Sequence, residues 1–442
     1  MKPVHIHEIG ESIRKIRKER GLRLEDLADK NISPATISNI ERGVPHVNME
    51  KAKYLLSKMG LEMSDLPDLI VDDQQELQNF EFELFTIETL QGIGKTDQAL
   101  ERLEQLEWDD EHPLAATVYY LKGKCYSSRK QWKQAEKSFH HAVRLSKKDP
   151  ENNIGAASYS ELGICRYQQN DLHQAVYYTD LGIQAYRESG ERPQFKYILK
   201  KNKAVYLERL GRLTESLKEV QGVWENLTQI KQAEVVLGFY WLHSELLRKN
   251  GLTDESIQIA REGLELARLN HQYFIMFDLW TVLGSAYMNQ KNWNKAESCF
   301  QMALQLDGLF SEGKVFTTTY ARLGLLHMVR KEWDSAGIMI EKAVQNGEQH
   351  NDAPRLTFAL LVQGDFYRAR YRWEDAIDAY EQALQLAQHH HYKKKEYQAL
   401  FRLAECWENV NEREFQKCMK SMYRVQQELQ NEEEDIREEA TI

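Results

Sequence analysis

A dense group of cationic side chains near residue 1 is the first feature of this sequence that could bind another molecule. Six basic residues lie within ten positions, opposed only by Glu19: Arg14, Lys15, Arg17, Lys18, Arg20 and Arg23. Guanidinium and ammonium groups at this density suit the phosphates of a polyanion such as nucleic acid. The alternative interpretation is that these residues form only a solvated helix face. The secondary structure predicted around them is needed to distinguish the two interpretations.

The charge of the chain is unevenly distributed. Residues 1–66 hold 12 Lys and Arg against 10 Asp and Glu, whereas residues 67–442 hold 46 against 58. The first segment therefore has a net charge of +2 and the remainder −12. This asymmetry predicts a small polyanion-binding module on a body that avoids nucleic acid.

Several functional classes are disfavoured by what the sequence lacks. It has no run of 18 apolar residues, no apolar signal segment, and five cysteines without a C-x-x-C pair. These features predict a cytoplasmic protein with reduced thiols and no membrane contact. Phosphate loops, G-x-S-x-G, H-E-x-x-H and paired carboxylates at fixed spacing are also missing, so we expect no enzyme, no cofactor and no metal.

Hydrophobic spacing in residues 1–66 predicts four short helices. Ile9, Ile13 and Ile16 share one face of a helix that extends to about residue 20. Ser33 suits the N-cap of another helix, and Pro34 suits its first position. The three further helices are expected at 24–30, 34–42 and 48–59.

This arrangement resembles the XRE/Cro-type helix-turn-helix family. The resemblance rests on Arg20-Gly21-Leu22, Leu24-x-x-Leu27-Ala28 and Ile37-Ser38-x-Ile40-Glu41-Arg42-Gly43. It implies a third helix in the major groove, where Asn39 can bond adenine and Thr36 can contact a thymine methyl. The expected DNA-binding residues are Arg14, Arg23, Ser33, Ala35, Thr36, Asn39 and Arg42. Arg17 and Glu41 are expected to form a structural ion pair, and a dimer on two half-sites of double-stranded DNA is implied.

The rest of the chain contains an internal repeat of about 40 residues. A Gly-x-x-Tyr…Trp-x-x-Ala pattern begins at Gly123, Gly284 and Gly364. A small residue of the second helix recurs at nearly constant spacing: Ala99, Ala135, Ala175, Ser216, Ser256, Ala296, Ala336 and Ala376. The pattern resembles the tetratricopeptide repeat family. We therefore predict an all-α protein, with a four- to five-helix domain followed by a right-handed superhelical solenoid of about nine repeats.

The pattern also predicts domain limits and a binding surface. Pro67 and neighbouring acids interrupt the helical spacing. The expected domains are 1–66 for the helix-turn-helix, 67–73 for a linker, 74–430 for the repeats and 431–442 for an acidic tail. First-helix side chains of a solenoid line its concave surface, where mixed aromatic and charged residues suit an extended peptide. The expected peptide-binding residues are Tyr120, Lys124, Ser160, Tyr167, Lys201, Asn202, Glu208, Trp241, Glu245, Arg248, Thr281, Asp365 and Arg368.

The complete layout resembles the Rap/NprR/PlcR/PrgX (RNPP) family of Gram-positive bacteria, and its NprR-type members most closely. The resemblance implies a quorum-sensing transcription regulator that binds a short signalling peptide, forms homo-oligomers and has a sporulation-phosphorelay response regulator as a further partner. Two alternatives stay open: a regulator controlled by a protein partner, and a Rap-like inhibitor or phosphatase of a response regulator. The DNA-reading helix argues against a pure phosphatase.

Overall fold

The structure is a computed structural model that describes residues 6–44, 49–62, 66–309, 316–408 and 410–439. Within these ranges every regular element is a helix, which confirms the predicted all-α class. None of the described helices is long and apolar enough to span a bilayer. The chain divides into two compact units, Met1–Glu107 and Trp108–Ile442.

The first unit contains the predicted helix-turn-helix core. Its helices are α1 (Ile6–Glu19), α2 (Leu24–Leu27), α3 (Pro34–Glu41), α4 (Met49–Lys58), α5 (Leu66–Gly92) and α6 (Thr96–Gln105). Ile9 and Ile13 of α1 pack with Ile37 and Ile40 of α3 and Leu55 of α4 in one buried cluster. The observed end of α1 and both limits of α3 and α4 lie within one residue of the predicted ones, because hydrophobic spacing and capping residues determine where these helices begin and end.

The predicted second helix, 24–30, is too long, because the structure ends α2 at Leu27. The carboxylate of Asp29 accepts hydrogen bonds from the backbone N–H of Asn31 at 2.8 Å and of Ile32 at 3.1 Å. It also accepts from the hydroxyl of Tyr54 and the ammonium of Lys58 on α4, at 2.6 Å and 2.9 Å. An aspartate that bonds its own following backbone favours a turn over a helix. The turn before α3 is thereby anchored to α4.

The prediction of a non-helical linker at 67–73 is wrong. Helix α5 extends from Leu66 to Gly92 without a break. Pro67 lies in its first turn, where a backbone N–H has no intrahelical acceptor and its loss therefore costs little. Helices α5 and α6 form the first helical hairpin, and this hairpin belongs to the same compact unit as the helix-turn-helix, beyond the predicted limit at residue 66.

The second unit stacks eight further hairpins, so the described chain contains nine, as predicted. Their helices are α7 (Ala115–Ser128), α8 (Trp132–Ser146), α9 (Ile154–Gln168), α10 (Leu172–Ala185), α11 (Phe195–Leu210), α12 (Leu213–Trp224), α13 (Ala233–Lys249), α14 (Thr253–Leu269), α15 (Tyr273–Asn289), α16 (Trp293–Leu304), α17 (Thr317–Val329), α18 (Trp333–Gln349), α19 (Ala353–Ala369), α20 (Trp373–His389), α21 (Lys393–Trp407) and α22 (Glu412–Glu439). The acidic segment 431–439 continues α22 as helix.

The repeat positions explain how each hairpin packs. All eight small residues of the second helices, Ala99 through Ala376, are completely buried. A Cβ on Gly123 would lie 2.5 Å from the ring of Phe139, and one on Gly364 would lie 2.2 Å from the ring of Tyr380. Glycine is therefore required where the aromatic residue of the second helix presses against the first.

The array also makes a contact between hairpins that are far apart in sequence, which we call the closure contact. The side chain of Asn170 donates to the carbonyl of Asn351 at 2.8 Å and accepts from the N–H of Ala353 at 3.1 Å. The hydroxyl of Tyr392 donates to the backbone carbonyl of Asn170 at 2.9 Å. Leu172, Tyr206, Leu207, Ala353, Ala387 and Tyr392 form a buried apolar cluster around these bonds. The third and fourth hairpins thus pack against the last two.

Candidate nucleic-acid interface and peptide-binding face

The predicted recognition helix α3 begins as its sequence requires. Ser33 is the N-cap, and its hydroxyl accepts a hydrogen bond from the N–H of Thr36 at 3.2 Å. The two hydroxyl groups of Ser33 and Thr36 are also 2.9 Å apart. This cap fixes the first turn of α3 while leaving Ser33 and Ala35 exposed, which is the face that a recognition helix presents to base edges.

The remaining candidate DNA contacts lie on the surface of the same unit. Arg42 donates to the side-chain oxygen of Asn39 at 2.5 Å, so base recognition by Asn39 requires exchange of this bond. Arg14 and Arg23 are exposed on α1 and just before α2, where they can reach phosphates. Assignment of these seven residues to DNA contacts stays a prediction.

The expected ion pair between Arg17 and Glu41 is confirmed. Arg17 bonds the carboxylate of Glu41 through two nitrogens, at 2.6 Å and 3.0 Å, and donates to the carbonyl of Leu22 at 2.8 Å. The Glu41 side chain is only 6% exposed. Arg17 therefore ties α1 to α3 and is not available to DNA.

In the second unit, the first helices of successive hairpins pack against one another and form a continuous layer, which we call the A-helix face. This face is concave. Arg322 of α17 reaches the carboxylate of Glu245 on α13 at 2.8 Å, although α15 lies between these two helices in the stack. Side chains of alternate helices can meet in this way only where the surface curves toward them.

An ion-pair cluster occupies the concave surface. Arg248 bonds Glu245 through two nitrogens, at 2.9 Å and 2.8 Å. Lys249 bonds Glu208 of α11, and Arg209 lies 3.4 Å from the same carboxylate. We call these residues, together with Arg322, Asp352, Arg355 and Lys395, the central charge cluster.

The cluster shifts the ionisation of its members. Burial alone would raise the pKa of Glu208, but the cations of Arg209 and Lys249 outweigh it and lower that pKa to about 2. Burial lowers the pKa of Lys395 to about 8, helped by the charges of Lys249 and Arg209. The acidic groups of Glu208 and Asp352 act in the opposite direction but do not offset burial and the neighbouring cations.

The composition of the cluster shows an excess of basic residues. Its six basic residues are Arg209, Arg248, Lys249, Arg322, Arg355 and Lys395. They outnumber its acidic residues Glu208, Glu245 and Asp352, even when Asp278, whose charge acts on Arg355, is counted with them. Arg355 and Asp352 are paired with each other. The surface therefore has an uncompensated capacity for carboxylate or another anionic group.

The structure brings together only some of the predicted peptide-binding residues. Glu208, Trp241, Glu245 and Arg248 belong to the concave cluster, where the ring of Trp241 packs 5.8 Å from the guanidinium of Arg209. Their charges are already paired within the chain, so a ligand has to exchange partners with them.

Other predicted residues are engaged in packing between helices. Asn202 donates to the Ser160 hydroxyl at 3.4 Å, and both residues are buried. Thr281 bonds Thr319 at 2.8 Å and is 5% exposed. Tyr120 is 3% exposed. Lys124, Tyr167 and Lys201 are half-buried, and Tyr167 stacks on Tyr206.

Asp365 and Arg368 form a separate group near the end of the array. Asp365 accepts from the hydroxyl of Tyr380 at 2.7 Å and from Arg402 at 2.9 Å and 3.2 Å. Arg368 pairs with Glu405. These bonds join α19, α20 and α21, so the two residues hold the last hairpins together in this structure.

Sequence reasoning missed six of the nine residues of the central charge cluster. Arg322 lies two positions before its first-helix glycine, Gly324. The inward residues were selected at one and four positions after the small residue of each first helix and at three positions before it, which excludes Arg322. Arg355 and Lys395 lie near the starts of α19 and α21, and they approach the cluster only because the array curves. Their basic character on an acidic body is the one signal that the sequence offered.

Family models identify the two kinds of domain. A model described as helix-turn-helix matches residues 13–66, and tetratricopeptide repeat models match residues 109–188, 277–309 and 359–390. The predicted helix-turn-helix and tetratricopeptide domains are thereby confirmed. Sequence comparison with curated proteins gives no match.

Solved structures share the fold. A Rap protein in complex with the competence and sporulation factor is 11% identical with a TM-score of 0.59, over 80% of this chain and 99% of that chain. The apo form of the quorum sensor NprR from B. thuringiensis is 13% identical with a TM-score of 0.53, over 73% of this chain and 93% of that chain. The apo form of RapI is 11% identical, with a TM-score of 0.51, over 79% of this chain and 98% of that chain.

Proposed function

We propose that this chain, a helix-turn-helix protein whose tetratricopeptide array has the fold of the solved Rap and NprR proteins, is a transcription regulator of the RNPP type. A short peptide that carries a carboxylate binds the concave A-helix face and controls binding of DNA by α3. The observation that supports this most is the central charge cluster, with its excess of cations on a concave surface.

The peptide enters by exchanging partners with groups that are already paired. The carboxylate of the peptide replaces Glu245 as the partner of Arg322 or Arg248. The backbone amides of the peptide form hydrogen bonds with polar side chains that line the face. Glu245 is bonded by both arginines, so it keeps one of them as a partner when the peptide takes the other. The buried charges thus stay paired, which is the condition for a favourable contact in a desolvated region.

Ligand exchange at Arg322 has a consequence for the whole array. The Glu245–Arg322 bond spans three successive first helices, and the closure contact joins distant hairpins. Each hairpin touches mainly its neighbours, so small rotations add along the array. A peptide that prefers one curvature by about 1.4 kcal/mol shifts the equilibrium tenfold.

The other expectations belong to the same proposal. The protein is a non-enzymatic cytoplasmic regulator, and self-association places two copies of α3 on two DNA half-sites, since one helix-turn-helix makes few phosphate contacts. A response regulator as a further partner stays a prediction from the family resemblance.

Capture of peptides by the full-length protein tests the proposal. Purified protein is incubated with the peptide fraction of host cytosol, and retained peptides are identified by mass spectrometry and titrated by calorimetry. We expect one short peptide, bound at least about tenfold more weakly by Arg322→Gln. Arg330→Gln is the matched control, because Arg330 lies at the end of the same helix and pairs with Glu297 outside the cluster. No retained peptide, or an equal loss in both variants, contradicts the proposal.

A further inference from the structure

A furrow on the second unit lies outside the central charge cluster. Helix α15 forms its floor and helices α14 and α16 form its walls, enclosing a volume of about 670 Å³. Met276, Trp280 and Tyr287 line the floor, and Arg261, Arg268 and Lys295 stand on the walls. We call this surface the basic furrow. The buried indole N–H of Trp280 has no acceptor among the described residues, which adds a further donor to the floor.

Two of these cations are exceptional within the repeat. Lys295 precedes the buried small residue of its second helix, and Arg261 follows that of the preceding hairpin by five positions. The residues equivalent to Lys295 are Gln98, Gln134, Gln174, Glu215, Glu255, Ser335 and Asp375. The residues equivalent to Arg261 are Glu104, His140, Asp180, Gln221, Gln301, Glu341 and Glu381. Repeat packing therefore does not require these charges, and both point to one furrow.

The furrow suits an acidic segment with an apolar side chain. Arg261 and Arg268 are two turns apart on α14, about 10 Å along the helix, and Lys295 faces them from α16. Glu265, which lies 3.8 Å from Arg268, is the one acidic residue on the walls. The net positive charge is localised on a repeat body that is otherwise acidic, so the furrow selects anionic partners.

The chain itself supplies a segment of this chemistry. Residues 431–439, Asn-Glu-Glu-Glu-Asp-Ile-Arg-Glu-Glu, contain six acids, one arginine and the apolar Ile436. They continue α22, which has 28 residues where α14, α18 and α20 have 17. The additional eleven residues correspond to about 16 Å of helix beyond the length of a normal second helix.

We propose that the acidic segment 431–439 of a second copy of this chain docks in the basic furrow. The furrow lies three hairpins before α22 in the stack, whereas α22 is one continuous helix that packs on α21 in the last hairpin. We therefore assign the docked segment to a second copy. Two copies can exchange their segments reciprocally, which gives a closed pair with two equivalent contacts. This pair is independent of the peptide on the concave face.

Charge reversal tests the proposal in the full-length protein. The furrow variant is Arg261→Glu with Lys295→Glu, and the segment variant is Glu432→Lys with Glu433→Lys and Glu434→Lys. Sedimentation equilibrium measures the dimer dissociation constant in about 50 mM and about 500 mM salt. We expect either variant to raise this constant at least about tenfold at low salt, since several exposed ion pairs are lost. The matched control is Lys133→Glu with Lys137→Glu, an equal charge change on exposed lysines of α8.

A chain that carries both sets of charge reversals gives the most direct test, because the acidic furrow and the basic segment then attract each other again. We expect dimerisation to return to within about threefold of the natural chain, and a synthetic peptide of residues 428–440 to compete with dimerisation of the natural chain. The proposal is overturned if neither single variant weakens the dimer, if the lysine control weakens it equally, or if the combined chain stays monomeric. It is also overturned if the furrow variant dimerises normally but loses another acidic protein partner.

Discussion

The closure contact can be weakened at one residue without disturbing the turn that carries it. Asn170 has a backbone φ of 63°, which glycine adopts without strain, so Asn170→Gly removes only the two side-chain hydrogen bonds to Asn351 and Ala353. Each bond contributes about 1 kcal/mol, and the buried N–H of Ala353 then lacks an acceptor. We therefore expect the free energy needed to open the closure contact to fall by about 2–3 kcal/mol.

A matched control exists in the same turn of another hairpin. Lys331 is the seventh residue after its first-helix glycine, as Asn170 is, and its φ is 62°. Its side chain is exposed, so Lys331→Gly changes the backbone in the same way and removes no contact between distant hairpins.

Hydrogen exchange of the amides of residues 351–353, 355 and 356 measures the effect, since Pro354 has no amide proton. Asn170→Gly should accelerate their exchange by about 30- to 150-fold, the factor that corresponds to 2–3 kcal/mol, while Lys331→Gly leaves it unchanged. Equal rates in the two variants would refute the role of Asn170. Uniform acceleration throughout the chain would show that the residue stabilises the array as a whole rather than this contact.

The remaining predictions concern DNA, pH and packing. Asn39→Ala should reduce the preference for the specific base sequence, as measured by fluorescence anisotropy. Arg14→Ala should weaken binding to all duplexes alike and reduce the slope of log affinity against log salt concentration by about one. If both variants lose affinity equally for specific and random duplexes, the assignment of α3 as the recognition helix is contradicted. The pKa of Lys395 is about 8 in the folded chain, against 10.5 for an ordinary lysine. Between these two pH values the unfolded chain binds more protons than the folded chain, so the free energy of unfolding should rise as pH rises from 8 to 10. Lys395→Met should raise stability at pH 7 by about 1–3 kcal/mol and flatten that rise in thermal unfolding; an unchanged pH dependence would count against it. Gly364→Ala places a methyl group 2.2 Å from an aromatic ring and should lower the free energy of unfolding by about 1–3 kcal/mol. In Gly222→Ala the new methyl group meets nothing within 4 Å, so this variant should stabilise its helix by up to about 1 kcal/mol. Calorimetric unfolding that ranks the two variants in the opposite order would contradict the packing described for the hairpins.

Local features of the fold could be predicted because they depend on neighbouring residues. Ser33 caps α3, Gly21 and Gly43 end their helices with positive φ, and the small residues of the second helices are all buried. Pro67 misled the prediction, since proline is compatible with a first helical turn as well as with a linker. The rules of capping and periodicity describe such short-range choices and little beyond them.

The concave face could be predicted only in part. Glu245 and Arg248 were found from repeat register, but Arg322 is 77 positions from Glu245 in the chain. Asn170 meets Ala353 across 183 positions. These contacts depend on the summed rotation of several hairpins, and a small error per hairpin would separate the partners. The sequence shows which residues each hairpin needs, whereas the curvature emerges from all of them.

The central claim is that a peptide on the concave face controls DNA binding, and affinity for a selected duplex tests it directly. The duplex is obtained by selection from random sequences with the full-length protein, and its affinity is measured by anisotropy at fixed salt with and without the captured peptide. We predict a change of at least about tenfold in the natural chain and a much smaller change in Arg322→Gln. An affinity that ignores the peptide, or that changes equally in Arg322→Gln, would contradict the claim.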